Sequence, residues 1–307
     1  MIKRVLVVGA GAVGIYYGVL LSKAGLKLTF CCRSDYEVAK EQGFALHYQD
    51  EKETFMLPVI DQVENYLMFG DSPDLILIAT KALPEIDLAN LLGPVVGPNT
   101  CFLLIQNGLD VEVALSEVFP KNRLLSAVAF SCLNRVSAAQ VRYLGFNRLT
   151  LGSYPDGGVT KEALFLKKCF DSQGVPCRVS EHMQYQRWKK LLWNVPFNAL
   201  SVLAGGLTTA DLLSSRDFSD QILTIMKEVQ QLAAGDGYEL PDHVIEQNIS
   251  ETKDKMGAYK TSMLLDFEAG RALEIEAIYG VLFRKAGDLG LELPFISSLY
   301  TRLKALG

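Results

Sequence analysis

The chain opens with a short, unbroken apolar run, Val5-Leu6-Val7-Val8, behind Lys3 and Arg4. Runs of this length without polar alternation predict a strand buried on both faces, here over 3–8. Val13–Ala24 has the pattern of a helix that stops at Gly25, and Leu26–Cys31 reads as the next strand. Similar runs recur at Leu75–Ala79, Cys101–Ile105 and Leu124–Phe130, with helical patterns at about 85–92 and 111–118. This alternation predicts a parallel sheet covered by helices on both faces. Around Gln140–Leu151 the pattern shortens to alternating strands about Gly145, as expected of a hairpin-like addition to the sheet edge. Cys177–Val179 is the last strand candidate. From about Glu181 onward helical periodicity takes over, broken at Gly205-Gly206, Gly235–Gly237, Pro241 and Pro294. The expected organisation is a mixed α/β domain over 1–180 followed by an all-α domain over 181–307.

Composition sharpens this picture modestly. A chain of 307 residues suits two domains of ordinary size, and 49% apolar with 21% charged residues is the balance of a well-cored globular protein. The formal net charge of -5 and the lack of long Lys/Arg runs argue against a nucleic-acid or membrane partner. Glycines interrupt the first apolar run, so it reads as mature structure rather than a secretory leader, and no stretch reaches the length of a membrane span. Six cysteines without CxxC spacing, two of them adjacent at Cys31 and Cys32, read as free thiols in a reducing cytoplasm. The three histidines are scattered, and no metal site is expected.

Candidate chemistry begins at Gly9-Ala10-Gly11-Ala12-Val13-Gly14, a GxGxxG directly after a predicted strand and opening a predicted helix. In that context the first glycine permits a tight turn and the second lets backbone approach a pyrophosphate. The third lets helix and strand pack closely. The free N–H groups of the helix start then face phosphate charge. This makes the first domain Rossmann-type. The second strand ends Phe30-Cys31-Cys32-Arg33-Ser34, with a guanidinium and no carboxylate at its tip. That choice favours a 2′-phosphate, hence NADP(H) over NAD(H). Asp35 follows and offers a pairing partner for Arg33. Lys81 and Asn107 lie just past two further strands, at the carboxyl ends where ligands of open α/β sheets bind.

The second half carries a sparse polar stripe in WKKLLWNVPFNAL: Trp188, Lys190, Asn194 and Asn198. In a helix, residues 190, 194 and 198 drift only slowly around the axis and share one face. Amid Leu191, Leu192, Trp193, Val195, Phe197 and Leu200, such polar groups are costly unless something polar faces them, and a substrate is the natural occupant. Pro196 should kink the helix. A second polar set, Ser262, Asp266 and Glu274, falls within what reads as one long helical pattern. Glu274 alternatively pairs with Arg271 on the surface.

Together these residues resemble the ketopantoate reductase (2-dehydropantoate 2-reductase) family over nearly the whole length. The resemblance is carried by GAGAVG, Arg33, ATK ending at Lys81, QNG at Gln106–Gly108, WKKLLWN with Asn198 four residues on, TSM at Thr261–Met263, and the Glu274 region ending at Gly280. It implies an active site in the cleft between the two domains, NADPH as cofactor, and reduction of ketopantoate to pantoate. By matching positions Lys190 is the general acid, Asn194 and Asn198 orient substrate, and Ser262 binds its carboxylate. Glu274 contacts the substrate hydroxyl or cofactor ribose, and Lys81 and Asn107 line the nicotinamide end.

Three positions depart from the family pattern. Asp110 stands where Gly is frequent, Pro84 where Gln is frequent, and Thr208-Thr209 follow Gly205-Gly206 where an Asn-Gly turn is common. They leave open a different 2-oxo or hydroxy acid as substrate on the same scaffold. A non-catalytic NADPH-binding sensor is a further alternative, opposed by the intact set Lys190, Asn194, Asn198, Ser262 and Glu274. The apolar helices of the second half would serve one core or a homodimer interface equally well.

Overall fold

The computed structural model describes residues 2–49 and 51–306. The chain divides into two compact units. The first comprises 1–81, 85–106 and 112–183, and the second comprises 82–84, 107–111 and 184–307. Two short segments inside the N-terminal half thus belong physically to the helical unit, which a single cut near residue 180 does not describe.

The first unit is built on one ten-stranded sheet. Its strands are β1 (Arg4–Val8), β2 (Lys27–Cys31), β3 (Phe44–Tyr48), β4 (Glu51–Phe55), β5 (Val59–Ile60), β6 (Leu75–Ile78), β7 (Cys101–Leu104), β8 (Leu124–Ser137), β9 (Gln140–Tyr154) and β10 (Cys177–Val179). They run in the order β4-β3-β9-β8-β7-β6-β1-β2-β5, with β10 paired to β9. The pairs of β1 with β2 and β6, and of β7 with β6 and β8, are parallel. β6 and β7 are buried at every residue, as their polar-free sequences require. The N-terminal half also carries helices α1 (Ala12–Lys23), α2 (Tyr36–Gln42), α3 (Leu88–Leu92), α4 (Val113–Val118) and α5 (Lys161–Ser172), with 3-10 turns at Val63–Phe69 and Gly93–Val95. From Gly14 to Leu21, α1 is buried all round, and its Tyr17, Val19 and Leu21 join Val5, Val7 and Phe30 in the core of this unit.

Two expectations need correction here. Strands β3, β4 and β5 carry no long apolar run: β4 reads Glu-Lys-Glu-Thr-Phe on an exposed edge, and β5 is two residues long. Their pattern carries no strand signal of the kind that marks β1 or β6. With β3 unseen, the segment after Gln140 looked like an edge addition; it is interior. β9 runs antiparallel to β8 and parallel to β3, with Ala45 opposite Gln140. It is also one long strand, bulged where Leu144-Gly145-Phe146 face the single residue Cys132, with φ of 104° at Gly145 and 50° at Phe146.

The second unit is helical: α6 (Met183–Leu203), α7 (Thr209–Ser214), α8 (Arg216–Gly235), α9 (Asp242–Lys255), α10 (Ser262–Glu268), α11 (Val281–Asp288) and α12 (Pro294–Lys304). A π-helical turn over Glu276–Gly280 precedes α11. Apolar faces of α6, α8, α10, α11 and α12 close on one core, with Trp188, Leu192, Phe197, Ile225, Tyr279 and Ile296 fully buried. Helix α6 continues through Pro196. No helix among the described residues is long and apolar enough to cross a membrane.

Candidate active site

In the first unit, the turn from β1 into α1 is shaped for a phosphate. Gly9 sits at φ 100°, and a Cβ there would lie 2.4 Å from the backbone N of Thr80 at the tip of β6. A Cβ on Gly14 would meet the carbonyl oxygen of Gly9 at 1.9 Å, so helix and strand pack at glycine distance. Gly11 differs: nothing lies within 4 Å of the place its Cβ would take. The N-terminus of α1 has no side-chain cap and no acidic residue in its first turn. Free N–H groups beside an open glycine fit a pyrophosphate. Ala10, Ala12 and Val13 fill the motif as small or apolar residues packed against the core. Gln106, to which the sequence assigned no role, ties the neighbouring tips together by donating to Thr80 O and Oγ1 at 3.1 Å each. Lys81 follows Thr80 and is half-buried.

Arg33 stands at the tip of β2, exposed and without an acidic partner among the described residues. Asp35 does not pair with it. Its carboxylate is 3% exposed and accepts from Arg135 Nη2, from the Ala139 N–H at 2.8 Å and from Ser34 Oγ at 2.9 Å. The partner is long-range, on the β8–β9 hairpin, a hundred residues away in sequence.

In the second unit, α6 presents Lys190, Asn194 and Asn198 on successive turns. Lys190 Nζ donates to Asn107 Oδ1 at 2.8 Å, and Asn107 Nδ2 donates to Glu274 Oε2 at 3.0 Å. The Ala82 N–H donates to Glu274 Oε1 at 2.9 Å. Both captured segments, 82–84 and 107–111, thus converge on one carboxylate. Loss of hydration at the Lys190 ammonium, helped by the nearby Arg187 cation and opposed by Glu274, brings its pKa down from 10.5 to about 8. Arg187 was not foreseen. Buried one turn before Lys190, it donates from Nη1 to the Gly108 carbonyl at 3.0 Å and pins the turn that carries Asn107. Its i, i+3 spacing to Lys190 was the available signal.

Asn194 and Asn198 are 5% and 1% exposed, and Asn198 Oδ1 is buried without a hydrogen-bond partner among the described residues. An orphaned buried acceptor is costly, and it marks a place where a donor belongs. Trp188 leaves the stripe: it is fully buried and donates from Nε1 to Asp236 at 3.2 Å. Thr261 Oγ1 and Ser201 Oγ lie 2.8 Å apart, tying the start of α10 to α6 one turn past Asn198. Ser262 follows, with its side chain exposed. The long helix expected through Glu274 breaks after Glu268, where Gly270 takes φ 64° and 271–274 are irregular. That break turns Glu274 toward Ala82 and Asn107. Arg271 pairs with Asp266 at 2.7 Å, and Glu276 with Arg284 and Lys304.

Two of the departures have local reasons. Asp110 has φ 58°, a conformation glycine adopts freely and Asp tolerates better than most residues, and its carboxylate pairs with Lys285 at 3.2 Å. Thr208 caps α7 in a reciprocal box with Asp211. Pro84 closes the short captured segment 82–84.

A Rossmann-type dinucleotide-binding unit followed by a helical unit with this lysine cluster defines a two-domain oxidoreductase. The chain belongs to the ketopantoate reductase family: the family model "Ketopantoate reductase PanE/ApbA" matches residues 5–156, and its C-terminal counterpart matches 182–307. It is 34% identical to a 2-dehydropantoate 2-reductase of Nostoc sp. over 99% of this chain and 95% of that protein. The crystal structure of 2-dehydropantoate 2-reductase from Methylococcus capsulatus is similar with a TM-score of 0.89 and 36% identity, covering 99% of this chain and 96% of that one. A D-mandelate dehydrogenase solved with NADH and anilino(oxo)acetate shares the fold, with a TM-score of 0.90 at 23% identity and coverage of 99% and 98%.

Proposed function

We propose that this chain reduces 2-dehydropantoate to pantoate with NADPH. The observation that carries the reading is the chain Lys190–Asn107–Glu274, with Lys190 brought to a pKa of about 8. The family and the 34% identical relative supply the substrate. The local explanations for Asp110 and Thr208 remove two reasons to look for a different acid.

Gly11 and the N-terminus of α1, set in place by the close packing at Gly9 and Gly14, would hold the pyrophosphate, and Arg33 would read the 2′-phosphate. Reduced nicotinamide, when bound, would supply the hydride that the ketone carbon accepts. As the carbonyl π pair moves onto oxygen, the Lys190 ammonium stabilises the growing charge and gives up its proton, leaving an alcohol and a neutral amine. Asn107 Oδ1 fixes the ammonium, and Glu274 fixes Asn107 through Nδ2, so the donor is aimed before substrate arrives. Asn194 and Asn198, the latter through its unpaired Oδ1, orient the polar groups of the 2-oxo acid, and Ser262 receives its carboxylate.

Purified protein should oxidise NADPH with 2-dehydropantoate, followed as loss of nicotinamide absorbance, and do so faster than with a panel of other 2-oxo acids. Turnover of another acid with 2-dehydropantoate inert would overturn the substrate while keeping the chemistry. The pH dependence has a definite sign. Reduction requires protonated Lys190, so kcat/KM should fall as pH rises through about 8, and the reverse oxidation should rise there. A reduction rate flat to pH 10 counts against Lys190 as the acid. Arg33→Gln should cost roughly 10–100-fold in kcat/KM with NADPH, the worth of a charged phosphate contact, and only a few-fold with NADH. An equal loss with both would remove the 2′-phosphate assignment.

A further inference from the structure

The geometry points to a second layer of cofactor discrimination: the β8–β9 hairpin sequesters the Asp35 carboxylate and so keeps Arg33 free for the 2′-phosphate, which rests on the NADPH reading above. Dinucleotide sites that take NAD place a carboxylate at the end of the second strand to bond the ribose diol. This chain has such a carboxylate two residues past Arg33, on the same short loop between β2 and α2. Asp35 is the N-cap of α2, where an Asp side chain ordinarily bonds the first helical amides, yet it makes no cap hydrogen bond. Its oxygens are taken by Arg135 Nη2, the Ala139 N–H and Ser34 Oγ.

The hairpin is shaped for this. Ala139 is buried, holds the unusual φ of 55°, and uses both backbone groups: its N–H goes to Asp35 and its carbonyl accepts from Ala45 N at 2.9 Å. Arg135 Nε also donates to Ser137 O, which steadies the guanidinium across the turn. The hairpin therefore supplies a cation and an aimed N–H to a carboxylate that sits 3% exposed. Released from them, Asp35 would have two routes, both adverse to NADPH. It would pair with the adjacent exposed Arg33 and cancel its charge, or it would reach the ribose and repel a 2′-phosphate while accepting from a diol. Asp35 and Arg135 are positioning residues, acting through Arg33.

The test is a double-mutant cycle read as the ratio of kcat/KM with NADPH to that with NADH. Arg135→Gln should lower the ratio about tenfold, as expected when one charged phosphate contact is neutralised. Asp35→Asn in that background should restore most of it, because the competing charge is gone. A purely structural role predicts the opposite: the double variant would be no better than Arg135→Gln, and that result would overturn the inference. A ratio unmoved by Arg135→Gln would overturn it too. If Arg135→Gln does not fold, Arg135→Met with and without Asp35→Asn gives the same comparison, since Met keeps the apolar stem and removes the charge. Wild type and Arg33→Gln, run alongside, separate the two levels. Wild type preferring NADH, with Arg33→Gln neutral, would sink the NADPH reading itself. Preference for NADPH that depends on Arg33 but not on Arg135 would sink only the sequestration.

Discussion

Lys190→Ala should lower kcat by about 10²–10⁴-fold at neutral pH, the range for removing a positioned general acid. The loss should fall on kcat and kcat/KM alike, since the proton is given only in the transition state. NADPH affinity, measured by fluorescence titration without substrate, should stay within a few-fold, because the phosphate grip is built from Gly9, Gly11 and the start of α1. Lys190→Arg is the sharper variant. A guanidinium keeps the positive charge and can still donate to Asn107 Oδ1, but it does not surrender a proton near neutral pH. It should therefore rescue little of the rate, and the fall in activity above pH 8 should vanish with the lysine. Turnover by Lys190→Arg near that of wild type would show that charge alone suffices and that the proton comes from elsewhere.

How far the sequence revealed this molecule follows the range of the interactions involved. Strands β1, β2, β6 and β7 were legible because each centres on a short, mostly apolar run whose middle residues are buried. The GxGxxG was legible because strand, turn and helix are contiguous. The face shared by Lys190, Asn194 and Asn198 needs only helical periodicity. What stayed hidden depends on partners far along the chain. β3 forms a local hairpin with the polar β4 but joins the main sheet only through β9, some ninety-five residues later (140 − 45 = 95), and its own five residues do not announce it. Asp35 lies next to Arg33 in sequence but bonds a hairpin a hundred residues on. Asn107 follows β7, and sequence order therefore groups it with the sheet, yet its side-chain bonds run to Lys190 and Glu274 in the helical unit. Glu274 was misplaced for a local reason: Leu273, Ile278 and their neighbours keep helical spacing through a break that only Gly270 at positive φ betrays.

The Asn107 turn is also where a single added methyl group should do most damage. Gly108 has φ 105°, outside the range side chains adopt readily, and a Cβ there would lie 2.4 Å from the Ala277 carbonyl oxygen and 2.8 Å from its Cβ. The same carbonyl accepts from Leu109 N at 3.1 Å, and the Gly108 carbonyl accepts from Arg187. Gly108→Ala therefore cannot relax by moving a flexible side chain. Either the turn withdraws from the π-helical segment, losing the Leu109 bond, or it rotates and loses Arg187; each shifts Asn107 away from Lys190 and Glu274. Strained backbone alone should cost about 1–2 kcal/mol of stability. A misplacement of about 1 Å at a positioned donor should cost roughly 10²-fold in kcat. Thermal unfolding and steady-state rates on one preparation distinguish the two losses, and NADPH binding should be nearly unchanged, because the turn lies outside the unit that grips the phosphates. The pH profile carries the decisive signature. With Asn107 displaced, the Lys190 ammonium loses a neutral acceptor that favours its charged form, so the fall in reduction rate should begin below the wild-type value of about 8. Full activity in a folded Gly108→Ala protein would mean that Asn107 need not touch the lysine for the proton to be delivered.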